Sequence, residues 1–224
     1  IDSVVDHRCK GGAGQWQTKS LKVKVQNLTK RFGDLLVLDN LNFEVEEGEF
    51  LCIVGPTGCG KTTFLNSLTR LYEPTAGDIL VNGIPVNPKK QNISYIFQEY
   101  SSFPWLTVEQ NIRFGLEIKK TPKAEADANV EGNAWIYVGL DQISAITIPV
   151  SFHQYAAAAW LSRVAFATKP ELLLMDEPYG QLDKLRFKLE DELIKLWKKT
   201  GTTVLFITHN IEEAVYLSQK IMVL

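Results

Sequence analysis

The first half of the chain alternates apolar with polar residues, as in LKVKV at 21–25 and LNFEV at 41–45. A period of two is typical of strands that bury only one face. The segment DILVNGIPV at 78–86 adds a hairpin, because its Asn82–Gly83 pair suits a type I′ turn. We therefore predict an antiparallel β lobe near residues 21–95.

Four other segments are apolar without interruption, and they predict strands that are covered on both faces. Such strands are typical of a parallel sheet between layers of helices. Helical periodicity separates them: residues 184–201 place leucines on one stripe that ends at Gly201. A further helix begins with Asn210 as its cap and has Glu213 three residues later. The apolar segments are FLCIV at 50–54, LLLM at 172–175, TVLFI at 203–207 and IMVL at 221–224.

These elements predict an α/β fold with a mostly parallel core sheet, an antiparallel β lobe and a helical lobe at about 99–165. Residues 1–20 contain GGAG and few apolar residues, so we expect an N-terminal tail there. Residues 21–224 then form a single domain. Ile1 is not a methionine and Leu224 lies within an apolar run, so we expect both ends to be cut and the C-terminus to be truncated.

The composition narrows the function classes. The 224 residues are 45% hydrophobic and 22% charged, with a formal net charge of −2. This balance is ordinary for a globular protein and gives no electrostatic reason to expect nucleic-acid binding. The three cysteines, Cys9, Cys52 and Cys59, have no metal-binding spacing, and their odd number argues against a disulfide framework. No apolar run is long enough to span a bilayer.

The strongest chemical signal is GPTGCGKTT at 55–63, which matches the pattern G-x-x-x-x-G-K-[ST] between a strand and a helix. Its glycines let backbone N–H groups converge on phosphate oxygens, and the helix N-terminus adds a favourable field. Lys61 supplies positive charge for the β- and γ-phosphates, and the Thr62 hydroxyl can bind Mg²⁺. The alternative is a glycine-rich turn that matches by chance. The predicted phosphate-binding residues are Gly55, Pro56, Thr57, Gly58, Cys59, Gly60, Lys61, Thr62 and Thr63.

A second signal is the acidic pair in LLLMDEP at 172–178. A carboxylate at the end of a buried strand can reach a metal ion at the phosphate loop, because both lie at the carboxyl edge of the sheet. Asp176 fits that role, and Glu177 is placed to orient a water molecule towards a γ-phosphate. An isolated acidic pair at a strand end is more often solvated surface, but the phosphate loop upstream favours function.

Three further segments narrow the class of nucleotide hydrolase to which the chain could belong. They lie at 95–116, 176–183 and 205–214. Together with the phosphate loop they resemble the ATPase subunit of ABC transporters, from about residue 21 to the end. FPWLTV is similar to importers of nitrate, sulfonate and taurine. The resemblance implies a P-loop NTPase fold of the ABC type and a subunit that binds ATP and Mg²⁺. The segments are YIFQEYSSFPWLTVEQNIRFGL, DEPYGQLD and LFITHNIEEA.

The same resemblance implies that ATP hydrolysis powers a membrane importer of small anions such as nitrate, sulfonate, taurine or bicarbonate. The implied partners are transmembrane permease subunits, a second ATPase subunit and, indirectly, a substrate-binding protein, without nucleic acid. The second ATPase subunit is either another copy of this chain or a different protein. The implied location is peripheral, on the cytoplasmic face of the inner membrane. The transported molecule touches other subunits, so its identity stays open.

Roles for single residues also come from the resemblance. Phe32 matches the aromatic residue that stacks on adenine; alternatively it is a core or turn aromatic. Gln98 matches the residue that links Mg²⁺ or the attacking water to the membrane partner, and Asp183 matches the loop that touches the opposite subunit's site. His209 matches the histidine that contacts the γ-phosphate and braces Glu177. The implied catalytic residues are Glu177, His209, Gln98 and Lys61, and the implied Mg²⁺ ligands are Thr62, Gln98 and Asp176.

The segment SFHQYAAAAW at 151–160 departs from the family pattern YPxxLSGGxxQR. Pro149 falls on the proline of that pattern, and His153, Gln154 and Tyr155 fall on its Ser-Gly-Gly. We expect a site completed by this loop to close and hydrolyse ATP poorly, because the serine hydroxyl and close glycine N–H groups are absent. The substitution is either a natural degenerate signature or an altered sequence.

Several alternatives stay open from sequence alone. The chain could be a non-hydrolysing, ATP-dependent switch, or a soluble ABC-type ATPase without a membrane partner. A simple P-loop kinase fits less well, since it needs neither the His209 segment nor GQLD. Phe103 and Trp105 in SSFPWL at 101–106 serve either a groove for a permease helix or ordinary packing of the helical lobe.

Overall fold

The structure is a computed structural model that describes residues 3–6, 20–98, 103, 105–106, 108–118, 120–134, 165–166, 168–180 and 186–224. The strands are β1 Ser3–Asp6, β2 Leu21–Phe32, β3 Leu35–Glu46, β4 Phe50–Val54, β5 Ala76–Val81, β6 Ile84–Pro85, β7 Ile93–Ile96, β8 Leu172–Asp176, β9 Thr203–Thr208 and β10 Lys220–Val223. The helices are α1 Lys61–Leu68, α2 Val108–Ile118, α3 Lys123–Ala134, α4 Arg186–Thr200 and α5 Ile211–Leu217.

Within the described ranges, six strands form the core sheet in the order β1-β10-β4-β9-β8-β7. Strands β10, β4, β9, β8 and β7 run parallel, and β1 pairs antiparallel with β10 at one edge. The four uninterrupted apolar segments are all parallel strands of this sheet, which confirms that prediction. Their carboxyl ends therefore lie at one edge, where the phosphate loop follows β4.

The core sheet separates two hydrophobic clusters because successive side chains of a strand point to opposite faces. In β4, Leu51 and Ile53 join the cluster that includes α1 and the antiparallel lobe. Phe50, Cys52 and Val54 join the cluster that includes α4 and α5. Burial raises the pKa of the Cys52 thiol, so this cysteine is a packing residue without reactive thiolate character.

The antiparallel sheet has the order β3-β2-β5-β6, and it contains the predicted hairpin. Asn82 and Gly83 have φ angles of 53° and 75°, as a type I′ turn requires. Gly77 has a φ of 81°, and a Cβ atom there would lie 2.2 Å from the carbonyl oxygen of Asn27. The close approach of β5 to the Asn27 bulge therefore requires glycine.

Two boundaries differ from the sequence prediction. Ser3–Asp6 form an edge strand on β10, so the predicted tail at 1–20 is wrong for these residues. The edge of the sheet offers unpaired backbone groups, which a short segment can satisfy without a long apolar run. Ile93–Ile96 belong to the parallel sheet although the first three of these residues fall within the predicted β lobe at 21–95. The Asn92 side chain fixes this strand by donating to the carbonyl oxygens of Thr168 and Lys169.

The predicted helix ends are confirmed where the structure describes them. Gly201 has a φ of 67°, and its N–H donates to the Trp197 carbonyl oxygen at the end of α4. Asn210 caps α5 by accepting a hydrogen bond from the Glu213 N–H. Of the helical lobe predicted at about 99–165, α2 and α3 are described. No helix in the described part of the chain is long and apolar enough to cross a membrane.

Candidate nucleotide-binding and hydrolysis site

The phosphate loop joins the end of β4 to the start of α1. Gly58 and Gly60 have φ angles of 85° and 108°, which residues with a Cβ atom rarely adopt. At Gly55 a Cβ atom would lie 2.6 Å from the Leu224 carbonyl oxygen and 2.8 Å from Cys59 Sγ. No described side chain caps α1, whose first turn therefore offers its N–H groups at the loop. The geometry is that of an anion-binding loop.

Lys61 holds this loop in shape from within. Its side chain is buried, and Nζ donates hydrogen bonds to the carbonyl oxygens of Gly55 at 2.8 Å and Pro56 at 3.1 Å. The ammonium group is thus kept at the mouth of the loop, where it can meet a phosphate.

Asp176 ends β8 opposite the start of α1 and is only 2% exposed. Burial raises the pKa of this carboxyl, and hydrogen bonds from Thr62 and Tyr95 oppose the rise. The Tyr95 hydroxyl lies 3.3 Å from Oδ2. Oδ1 is buried and has no hydrogen-bond partner among the described residues. A buried carboxylate oxygen of this kind, beside a threonine hydroxyl, fits a Mg²⁺ ion, which prefers oxygen ligands.

The described residues contain no group of three or more His, Cys, Asp or Glu side chains that could hold a metal ion alone. Mg²⁺ usually takes one or two protein oxygens together with phosphate oxygens and water. The chemistry of the Thr62 hydroxyl and of the buried Asp176 carboxylate fits such an ion.

One carboxylate oxygen of Glu177 contacts two other side chains. Its Oε2 lies 3.3 Å from Gln98 Nε2 and 3.3 Å from His209 Nδ1. The three side chains come from the ends of β8, β7 and β9, so the sheet edge brings them together. Glu177 has a φ of 45°, in the left-handed region, and its N–H donates to the Ile207 carbonyl oxygen. The carboxylate is aimed by its neighbours and by its backbone conformation.

Phe32 lies at the end of β2 with 43% of its surface exposed. Tyr72 approaches it edge-on, with ring centroids 5.3 Å apart, and Lys30 Nζ lies 4.8 Å from its centroid. Val37, in β3 of the hairpin that β2 and β3 form, would contact a Cβ atom at Gly60, so this β2–β3 hairpin lies beside the phosphate loop. An exposed aromatic ring in that position is available for stacking, rather than part of the core.

A small cavity of about 50 Å³ opens beside Glu177. Its lining includes His209 from the β9–α5 turn, Arg186 from the start of α4 and the buried Glu213 from α5. Tyr95, Tyr72 and Arg186 are neighbours of the site that the sequence pattern did not indicate. Tyr95 could not be found because its strand was not predicted as a neighbour of β8. The segment 151–160 and Asp183, which carry further predictions, lie outside the described residues.

A parallel sheet with a phosphate loop after one strand and an acidic pair after another defines a nucleotide hydrolase of the P-loop class. The model of the ABC transporter family matches residues 38–180, so this chain belongs to the ABC transporter ATP-binding family. Domains of this family hydrolyse ATP and couple hydrolysis to transport.

Among its relatives, an ATP-binding protein of Brucella abortus is 39% identical over 204 residues, which cover 91% of this chain and 78% of the relative. A spermidine/putrescine import ATP-binding protein of Nitrosomonas eutropha is 38% identical over 210 residues, covering 90% of this chain and 56% of the relative. The nitrate, sulfonate and taurine group is not confirmed by these relatives.

Solved structures agree with the fold. An ATP-binding subunit of an ABC transporter has a TM-score of 0.79 at 23% identity, over 91% of this chain and 85% of that one. A dimeric bacterial ABC transporter cassette has a TM-score of 0.71 at 28% identity, over 90% and 94%. These structures confirm the predicted fold class, and membership of the ABC transporter family confirms the prediction of an ATP hydrolase coupled to transport.

Proposed function

We propose that this chain binds Mg·ATP at residues 55–63 and hydrolyses it as the peripheral ATPase subunit of a membrane importer. The observation that carries the proposal is the convergence of Gln98 and His209 on one oxygen of Glu177, directly after the buried Asp176. A water molecule bound at that oxygen meets a base that is held in place. Family membership supports the coupling to transport.

The phosphate loop and the β2–β3 hairpin bind and position ATP. The N–H groups at the start of α1 and the Lys61 ammonium bind the β- and γ-phosphates. Phe32 stacks on the adenine, with Tyr72 bracing the ring from its edge. Thr62 and Asp176 would hold Mg²⁺, with Gln98 at the ion or the attacking water, and the bound ion would supply charge neutralisation at the phosphate oxygens.

The hydrolytic step falls to Glu177 and His209. Glu177 orients the attacking water and accepts its proton as the water oxygen attacks the γ-phosphorus. His209 donates to the γ-phosphate and, through its 3.3 Å contact with Oε2, keeps the glutamate in its productive orientation. ADP and inorganic phosphate then leave as the two ATPase subunits separate.

The segment at 153–155 limits how well a second site closes. In the family, Ser-Gly-Gly donates to the γ-phosphate of ATP held by the opposite subunit. Each such charge-assisted hydrogen bond contributes about 1.5–3 kcal/mol, so the loss of two weakens closure roughly a hundred-fold or more. In a complex of two copies both sites carry this defect. With a different, intact partner, this chain's own ATP is still hydrolysed.

The docking site for the permease is the aromatic segment before α2. Trp105 is 69% exposed, whereas Phe103 meets Phe114 edge-to-face with centroids 4.6 Å apart and so also packs within the helical lobe. We assign Trp105 to the contact with a permease helix at the cytoplasmic face of the inner membrane. A substrate-binding protein then acts through the permease.

The transported molecule is a small anion of the nitrate, sulfonate, taurine or bicarbonate kind, on the strength of FPWLTV at 103–108. The relative named for spermidine and putrescine import makes a polycation the competing substrate. Isolation of the complex with its binding protein, followed by binding of nitrate, taurine and spermidine in parallel, decides between them. Spermidine binding alone refutes the anion assignment.

Two variants test the ATPase proposal. Lys61→Ala should abolish Mg·ATP binding measured by isothermal titration calorimetry, because the loop loses its buried cation. Glu177→Gln should bind Mg·ATP and lose hydrolysis, because the amide cannot accept the proton. Unchanged ATP binding by Lys61→Ala, or wild-type hydrolysis by Glu177→Gln, contradicts the proposal.

A second function is favoured by the residues at 153–155, namely an ATP-dependent switch that does not hydrolyse. Restoration of Ser-Gly-Gly at these positions is the matched test. Hydrolysis that rises at least ten-fold on restoration supports a degenerate but repairable ATPase. Tight ATP binding without hydrolysis in both proteins supports the switch.

A further inference from the structure

The turn that carries His209 is closed by a ring of three hydrogen bonds. The Thr208 hydroxyl donates to Oε2 of Glu213. The Asn210 N–H donates to the Thr208 hydroxyl oxygen at 3.0 Å, and the Glu213 N–H donates to Asn210 Oδ1 at 3.1 Å. His209 lies between Thr208 and Asn210 in the chain, so these hydrogen bonds hold the backbone on both sides of it.

Packing does not hold the His209 side chain, because 57% of it is exposed. Its direction towards Glu177 therefore depends on the backbone of the turn. Thr208 and Glu213 are both buried, so the hydrogen bond between them is shielded from water and fixes one end of the turn. Asn210 fixes the other end through the start of α5.

Glu213 lies near a charged pair from α4, Arg186 and Glu190. Glu190 is 1% exposed, and its Oε1 lies 3.1 Å from Arg186 Nε. Burial raises the pKa of Glu213 to about 7; the Thr208 hydroxyl lowers this pKa, the charge of Glu190 raises it, and those of Arg186 and His209 lower it. A buried carboxyl in this setting is costly, which indicates that its placement serves more than packing.

We propose that Glu213 is a positioning residue for ATP hydrolysis: its carboxylate holds Thr208, its backbone N–H holds Asn210, and the two bonds fix the turn that aims His209 at Glu177. The inference rests on the proposed role of His209 in hydrolysis. It extends the site behind the β9–α5 turn, to a side chain that contacts neither nucleotide nor water in the reaction. The cavity beside Glu177 reaches the same side chain.

The test measures single-turnover hydrolysis of Mg·ATP by the full chain, together with Mg·ATP affinity. Glu213→Ala should lower the rate at least about ten-fold, since small displacements of a catalytic group are costly, with the dissociation constant changed less than about two-fold. Glu213→Gln should keep the rate within about three-fold, because its amide oxygen still accepts from Thr208. Glu212→Gln, in the exposed first turn of α5, is the matched control and should hydrolyse like the wild type.

Thr208→Val breaks the same ring from the other side and keeps the test decisive if Glu213→Ala fails to fold. It should lose hydrolysis to a similar extent, and the double variant with Glu213→Ala should lose no more. Wild-type hydrolysis by Thr208→Val or Glu213→Ala overturns the inference, as does an equal loss of ATP affinity. If His209→Ala loses hydrolysis and Glu213→Ala keeps it, the role of Glu213 is refuted and that of His209 stands. If His209→Ala hydrolyses ATP like the wild type, the proposed role of His209 is refuted as well.

Discussion

Replacement of Glu213 by glutamine should stabilise the protein at alkaline pH and leave its stability almost unchanged at acidic pH. The pKa of Glu213 rises from an ordinary 4.5 to about 7 in the folded state, chiefly through burial. A group whose pKa is raised by folding favours the folded state below its unfolded pKa and loses that stability as the pH rises through its folded pKa. At 1.36 kcal/mol for each pH unit, the loss between pH 4.5 and pH 8 is about 3 kcal/mol.

Urea unfolding at a series of pH values between 5 and 8.5 measures this difference. Glutamine cannot ionise and keeps the acceptor for Thr208, so its free energy of unfolding should exceed that of the wild type by about 2–3 kcal/mol at pH 8. The gap should close towards pH 5. Glu212→Gln, exposed on the same helix, should show no such trend. A gap of equal size at pH 5 and pH 8 contradicts a raised pKa at Glu213.

Three further substitutions test other parts of the structure. Gly77→Ala places a Cβ atom 2.2 Å from the Asn27 carbonyl oxygen at a φ of 81°, so it should lower the free energy of unfolding by more than about 2 kcal/mol; a urea midpoint within error of the wild type argues against the bulge. Tyr95→Phe removes the donor to Asp176 and should raise the Mg²⁺ concentration for half-maximal ATP binding about five-fold; calorimetry at several Mg²⁺ concentrations checks this. Trp105→Ala should leave thermal stability unchanged, because the ring is 69% exposed, while reducing co-purification with permease; loss of stability instead assigns the ring to packing.

The phosphate loop and the central strands were predictable because their signals are local. An uninterrupted apolar run predicts a strand that is buried on both faces. The loop after residues 50–54 requires glycines, and these are visible in the sequence. The carboxyl-edge rule predicts Asp176 and Glu177 beside the loop, and in the structure the Thr62 hydroxyl at the start of α1 lowers the pKa of Asp176.

The edge strands and the supporting side chains were not predictable because they depend on partners far along the chain. Ile93–Ile96 contain only four residues and join the core sheet through pairing with β8. Ser3–Asp6 likewise take their structure from β10. The contact of Tyr95 with Asp176 follows from that pairing, so it could not be inferred before β7 was placed. Glu213 was recognised as part of a helix start, but its burial beside α4 was invisible to a one-dimensional pattern.

The backbone at Glu177 has a consequence for how this protein could be made more robust. An asparagine or a glycine at this position would strain the backbone less than a glutamate does, since both adopt a φ of 45° at a lower free-energy cost. A screen that rewards heat resistance alone would thus be drawn to replace the side chain on which turnover depends. Thermal stability and ATP turnover therefore place opposite demands on position 177. Only a selection for both properties would retain Glu177.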